Sequence, residues 1–320
     1  MSTRLDRMRL NCRLVTRVLG EEVFAATLDL GNQLPTELAR ARMVCIPILI
    51  SATRDMIDRK MRGPIVARGP SINAIAASLD LPFETVRRNV QRMADLGWLA
   101  IGPGGGVSLP VPMPRALAEW CVDLGRRLRR AAATMEALGA TDAMSLERGS
   151  CDNSCTLAAL DLFLIMAGTS NHFRLRYTEL LLVHFVCSAS VAHLNELPPG
   201  SAPFARVDTV PDAAERAFVP MADLARMLGI SRSTVYRLVS DAAQADLFER
   251  RGNGVRASDR FLTSGAYVEA LELVAGRTAT LFSRIERHRC GNGCTALDHV
   301  LRRPRPWRQI STLSSSAQIG

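Results

Sequence analysis

"LARMLGISRSTVYRLV", residues Leu224 to Val239, is the stretch that decides the fold. Leu224, Ala225 and Leu228 fall on one side of a short helix predicted over Met221–Leu228. Gly229 permits a tight turn, Ile230 plugs the corner, and Ser231 offers an N-cap for a second helix, Arg232–Ala243. Val235 and Val239, four apart, hold that helix down. Ser231, Arg232, Ser233, Tyr236 and Arg237 are left projecting outward. Beyond it, "LFERRGNGVRAS" (247–258) reads as strand, Gly-Asn-Gly turn, strand, with Arg250, Arg251, Asn253 and Arg256 around the turn. A helix presented in this way fits the DNA major groove, and basic residues on such a turn suit phosphates.

Working back along the chain, the same plan recurs. Ile72–Leu79 predicts a helix, Asp80-Leu81 a turn, and Pro82–Leu96 a second helix with Pro82 in its first turn. "WLAI" and "VSL" then bracket the turn "GPGGG" (102–106). The outward set here is Phe83, Glu84, Arg87, Arg88, Gln91 and Arg92. "INAIAASLDLPFETVRRNV" (72–90) aligns with "MADLARMLGISRSTVYRLV" (221–239) at an offset of 149. Upstream, "TELARARMVC" (36–45) aligns with "TELLLVHFVC" (178–187) at 142. "ERGSCDNSC" (147–155) aligns with "ERHRCGNGC" (286–294) at 139. Three ordered matches with small drifts in offset point to an internal duplication.

The expected fold is mostly α with small β-wings: two winged helix-turn-helix units joined by long helices. The first unit spans 1–145, with its winged portion at about 69–110 and a closing helix at 114–139. The second spans 146–288, with its winged portion at about 219–258 and a closing helix at 260–286. Residues 289–320 hold the last cysteine pair and a basic tail whose composition predicts disorder. A further long helix precedes each winged portion, at about 36–61 and 177–196, and Pro47 is expected to kink or divide the first. In the closing helix, Leu117, Cys121, Leu124, Leu128 and Met135 share one apolar face, while Arg126, Arg127, Arg129 and Arg130 crowd the rest.

The two motif segments resemble the winged helix-turn-helix domains of bacterial transcription regulators. The order of helices around each wing is most similar to the MarR group, and GntR and IclR regulators share similar DNA-binding modules. The resemblance covers about forty residues per copy and implies a regulator that grips double-stranded DNA as a two-fold dimer. It also implies a small-molecule effector as a partner, and further pairing into a homodimer stays open. One chain would supply both half-dimers, with major-groove contacts about 34–36 Å apart. Two other readings remain: a tandem winged-helix replication initiator bound to origin repeats, and a protein-interaction scaffold. The net charge of +9 and the arginines on both outward helices favour nucleic acid over the scaffold.

Charge and composition exclude other classes. Lys60 is the sole lysine, so the positive charge is carried by arginine. The N-terminal stretch scatters charges and has no apolar signal core, so a cytoplasmic protein is expected. The longest uncharged run, Leu180 to Asn195, falls short of the roughly 18–20 residues of a spanning helix, so no membrane partner is expected. "GPGGG" lacks the Lys-Ser/Thr of a phosphate-binding loop. No set of nucleophile, base or paired carboxylates appears, so no enzyme is expected. His184 and His193 read as core histidines, or as lining for an effector pocket.

The twin cysteine pairs leave three readings open. Cys151, Cys155, Cys290 and Cys294 could converge as a four-thiolate zinc (Zn) site, oxidise pairwise as a redox switch, or only pack. Cys12, Cys45, Cys121 and Cys187 read as core residues.

Overall fold

A computed structural model describes residues 3–62, 69–79, 81–142, 152–173, 175–191, 193–194 and 204–287. Its first half runs α1 (Arg4–Leu10), α2 (Cys12–Gln33), a 3-10 segment (Thr36–Ala41), α3 (Arg42–Arg62), α4 (Ile72–Ser78) and α5 (Phe83–Asp95). A hairpin follows, β1 (Ala100–Ile101) and β2 (Val107–Ser108), and then α6 (Arg115–Ala137). The second half runs α7 (Asp152–Phe173), α8 (Tyr177–Ser190), β3 (Val219–Pro220), α9 (Met221–Leu228) and α10 (Arg232–Gln244). It closes with β4 (Phe248–Arg251), β5 (Gly254–Ala257), α11 (Asp259–Leu262) and α12 (Gly265–Arg287). The chain is thus mostly helical with small antiparallel sheets. Among the described residues no helix is long and apolar enough to cross a membrane.

Several expected boundaries move for local reasons. The long helix expected from residue 36 is divided at Ala41, not at Pro47, which sits inside α3. Proline there removes only the bond to the Met43 carbonyl, in the opening turn of α3. The closing helix of the second half is broken between α11 and α12. Ser258 Oγ accepts from Phe261 N (3.0 Å) and Ser264 Oγ accepts from Tyr267 N (3.2 Å), so each helix carries its own N-cap. The helix expected over 177–196 stops at Ser190, capped by the Val191 N–H.

Long helices form the centre. In the first half α2 packs on α6, where Trp120 Nε1 donates to the Ala26 carbonyl at 2.8 Å. In the second, α7 packs on α12. Between the halves, α3 meets α7 and α8 meets α2, while α6 meets α7 and α12 meets α2. These four contacts form two pairs with roles exchanged, as in a two-fold interface, whereas the packing of α1 on α12 has no counterpart among the described residues. Arg54 Nε reaches Asp161 Oδ1 at 2.9 Å across the first of these, and Phe24 lies 4.9 Å from Phe185, centroid to centroid, across the second. Phe163 and Phe282 are fully buried in this helical centre, each burial being worth about 1.5–3 kcal/mol.

Two arginines of the α6 cluster pair with acidic residues of α2, while Arg126 and Arg130 stay exposed. Arg127 bonds Asp123 (2.6 Å) and also pairs with Asp29, and Arg130 reaches Glu22 (2.7 Å), which fastens α6 to α2. Leu117, Cys121, Leu124, Leu128 and Met135 are all buried, as their spacing predicts.

Candidate nucleic-acid interface

The second winged helix is built from matched faces. Met221, Leu224, Ala225 and Leu228 of α9 are buried, as are Val235, Leu238, Val239 and Ala242 of α10. Gly229 joins them at φ +62°, a left-handed conformation that favours glycine. A Cβ at this glycine would also stand 2.5 Å from the Arg42 guanidinium, which reaches over from α3 of the other half. Ser231 Oγ accepts from Thr234 N at 3.2 Å and so starts α10. Nothing local in the sequence signals the Arg42 contact, because it crosses between halves.

With α10 held on its apolar side, Ser231, Arg232, Ser233, Tyr236 and Arg237 are exposed. The wing continues from it through β4 and β5, with Arg251 opposite Gly254 across a two-residue turn, Gly252-Asn253. Tyr236 Oη donates to Asn253 Oδ1 at 3.1 Å, tying the helix to the wing tip. β3, which the sequence did not announce, pairs with β5 and completes a three-stranded sheet. Arg250, Arg251 and Asn253 are exposed on the outer end. No salt bridge to a described carboxylate holds Arg232, Arg237, Arg250 or Arg251.

Arg256 departs from the expected set. Its side chain is only 14% exposed: Nε bonds Glu249 (2.8 Å), a terminal nitrogen bonds the Ala213 carbonyl, and the guanidinium lies 4.5 Å from the Phe218 ring centroid. It is a strut at the base of the wing, held by Glu249 and the Ala213 carbonyl, whereas Arg250 and Arg251 are exposed beside the turn. The signal was available in the hairpin register, which sets Glu249 directly across from Arg256.

The first winged helix repeats the frame with a different surface. Val86, Val90 and Met93 are buried in α5, while Phe83, Glu84, Arg87, Arg88, Gln91 and Arg92 are all exposed. Several of these are already engaged. Arg87 binds both oxygens of Glu84 at 2.8 Å, and Gln91 Nε2 donates to Asp95 Oδ1 at 2.9 Å. The Arg87 hydrogen bond holds the Glu84 carboxyl below its ordinary value. Arg88 stands 3.9 Å from Glu84, and Arg92 has no recorded ion pair among the described residues. Pro82 stands just outside the first turn, at the N-cap position of α5, and makes no side-chain capping bond. The wing is short, and its third edge is a single bridge, Ser71 to Gly106. The backbones touch so closely there that a Cβ on Gly69 would lie 2.0 Å from the Val107 carbonyl oxygen.

The remaining expected residues fall elsewhere. Cys155 is buried in α7, whereas the positions of Cys151, Cys290 and Cys294 lie outside the described residues, so the zinc and redox readings gain nothing from the fold. Among the described residues no cluster of histidine, cysteine and carboxylate side chains could hold a metal. Burial pushes the Cys45 and Cys121 thiols up to about 12, the behaviour of packing cysteines. His193 is exposed and meets the Glu215 carbonyl at 2.8 Å, so it is neither a core nor a cavity residue, whereas His184 lines a cavity.

No family model, curated protein or solved structure matches this chain.

Proposed function

We propose that the chain is a sequence-specific, double-stranded-DNA-binding transcription regulator that carries two winged helix-turn-helix modules as a pseudo-dimer produced by duplication. The observation that carries this reading is the surface of α10 and its wing: Arg232, Arg237, Arg250 and Arg251 all exposed, with no described carboxylate bound to them. Arginine on the outward face of the second helix reads guanine bidentately, and arginine on the wing meets phosphate. The two pairs of exchanged contacts between the halves support a two-fold relation of the kind two adjacent half-sites require. Because α5 and α10 present different side chains, the half-sites differ and the operator is an imperfect palindrome.

Selection of bound sequences from random DNA at stated salt tests this, run on the unaltered protein and on Arg237→Ala and Arg88→Ala. The expected result is one bipartite motif, with specificity relaxed at one position by each substitution. If neither substitution weakens binding to any DNA, the regulator reading fails. Iterated repeats in place of a bipartite motif would indicate a replication initiator.

A further inference from the structure

Away from both winged helices, a cavity of about 80 Å³ lies where the two halves meet. One wall is α2, contributing Arg13, Thr16 and Arg17; facing it are His184, Cys187 and Ser190 of α8. The floor is Arg216, from the segment before β3, and the Tyr267 side of α12. Five buried polar atoms in these walls have no hydrogen-bond partner among the described residues: Thr16 Oγ1, Arg17 Nε, His184 Nε2, Ser190 Oγ and Arg216 Nε. Buried polar groups are almost always satisfied, so five around one cavity mark a place built to receive polar atoms.

The charge of the lining gives the sign of the ligand. Among the described residues, three arginines and no carboxylate line the cavity. Arg13 is held by carbonyls, those of Val207 (2.9 Å) and Leu262 (2.8 Å). Arg216, its side chain 1% exposed, bonds the Ala257 carbonyl (2.6 Å) and pairs with Asp259, whose own side chain is 60% exposed. Arg17 is pushed down by burial, with Glu21 acting against the shift. Burial drives His184 to about 4 and Cys187 to about 12, so both are neutral near pH 7. Desolvated cations facing a cavity are costly, and an anion placed among them recovers that cost.

Size and the remaining wall narrow the class. A dry cavity of about 150 Å³ holds benzene, so roughly half of that suits a carboxylate with a chain of two to four carbons. Leu262, Leu271, Val191 and the Tyr267 ring supply an apolar side for such a chain. We infer that this cavity binds one short-chain monocarboxylate per molecule. The other half has no equivalent wall among the described residues: Ile46 and Ile48, which align with Ser188 and Ser190, are fully buried. Arg216 and Arg13 also grip the Ala257 and Leu262 carbonyls at the base of the second wing, so an occupant would bear on that wing's setting. That last link rests on the DNA-binding reading; the binding itself does not.

Calorimetric titration of the full chain with acetate, propionate and butyrate tests the site, with inorganic phosphate in parallel at matched ionic strength. The expected result is saturable binding of at least one carboxylate at one site, with phosphate silent. Arg17→Met should weaken it about tenfold or more, and the milder Ser190→Ala by a smaller factor. Near-UV circular dichroism establishes that each variant is folded. Absence of saturable binding by any of the three, unchanged affinity in both folded variants, or phosphate binding in place of carboxylate would each overturn the assignment. Loss of DNA binding in Arg237→Ala with carboxylate binding intact would keep the two readings separate.

Discussion

The two winged helices share a frame and differ in what they show to solvent. Ile75, Val86 and Val90 in the first stand where Leu224, Val235 and Val239 stand in the second, and all six are buried. On the outside, α5 spends Arg87 on Glu84 and Gln91 on Asp95, whereas the exposed cations of α10 and its wing have no described acidic neighbour bound. The first wing has no basic residue between Gly102 and Gly106; the second carries Arg250 and Arg251 at its outer end. The difference teaches that the apolar positions carry the shape and the polar ones are free to diverge.

The strongest way to break this comparison is to strike the shared frame. Ile75→Ala and Leu224→Ala should each cost about 2–5 kcal/mol, read as a lowered urea midpoint, because each leaves a cavity in a packed corner. If only one destabilises, the cores are not equivalent.

The next effect lies on the divergent surfaces. Arg237→Ala should cost about 1–3 kcal/mol in affinity for a selected operator and relax one base position. Arg250→Ala and Arg251→Ala should instead flatten the salt dependence with little change in sequence preference. Arg88→Ala, beside a carboxylate that partly offsets it, should cost less than Arg237→Ala. An equal or greater loss would reverse the ranking of the two surfaces.

Gly229→Ala probes the corner itself. The left-handed backbone alone should cost about 1–2 kcal/mol. The Arg42 guanidinium, packed over the turn from the other half, must shift as well, but as the far end of a flexible side chain it should add little to the backbone cost read in the thermal midpoint. Recovery in the double variant Gly229→Ala with Arg42→Ala would show that the clash contributes.

The smallest effect is a titration. The Arg87 hydrogen bond lowers the folded-state value of Glu84, so the pair's contribution is present above the ordinary carboxylate range and is lost as pH falls through the lowered value. Carbon-detected NMR should place the Glu84 midpoint below that of a free glutamate, and Arg87→Ala should return it most of the way, leaving only Arg88 nearby.

How much of this was legible in the sequence follows from what each feature depends on. The α9–α10 corner depends on residues within one stretch, and Met221–Leu228, Gly229 and Ser231 stand in the structure where their spacing put them. The same is true of the apolar face of α6. β3 was not legible, since two residues, one a proline, carry no strand period; β5 recruits them. The break between α11 and α12 was written in Ser258 and Ser264 but masked by a continuous apolar rhythm around it. Arg256, Arg127 and Arg130 look like surface charge in one dimension, and their acidic partners on facing elements turn them into fasteners. The cavity draws its walls from α2, α8, α12 and the approach to β3, so no local pattern could announce it.

The exchanged helix contacts have a consequence for how such a molecule can change. In an assembly of two identical chains, any substitution at the contact appears on both sides at once, and so does any new pocket. Here α2 and α7 occupy matching roles yet are encoded separately, so each can be altered while its counterpart stays as it was. Arg13 and Arg17 could enter one side without a second pair of guanidiniums being forced into the other. Covalent continuity also means that dilution cannot part the two halves.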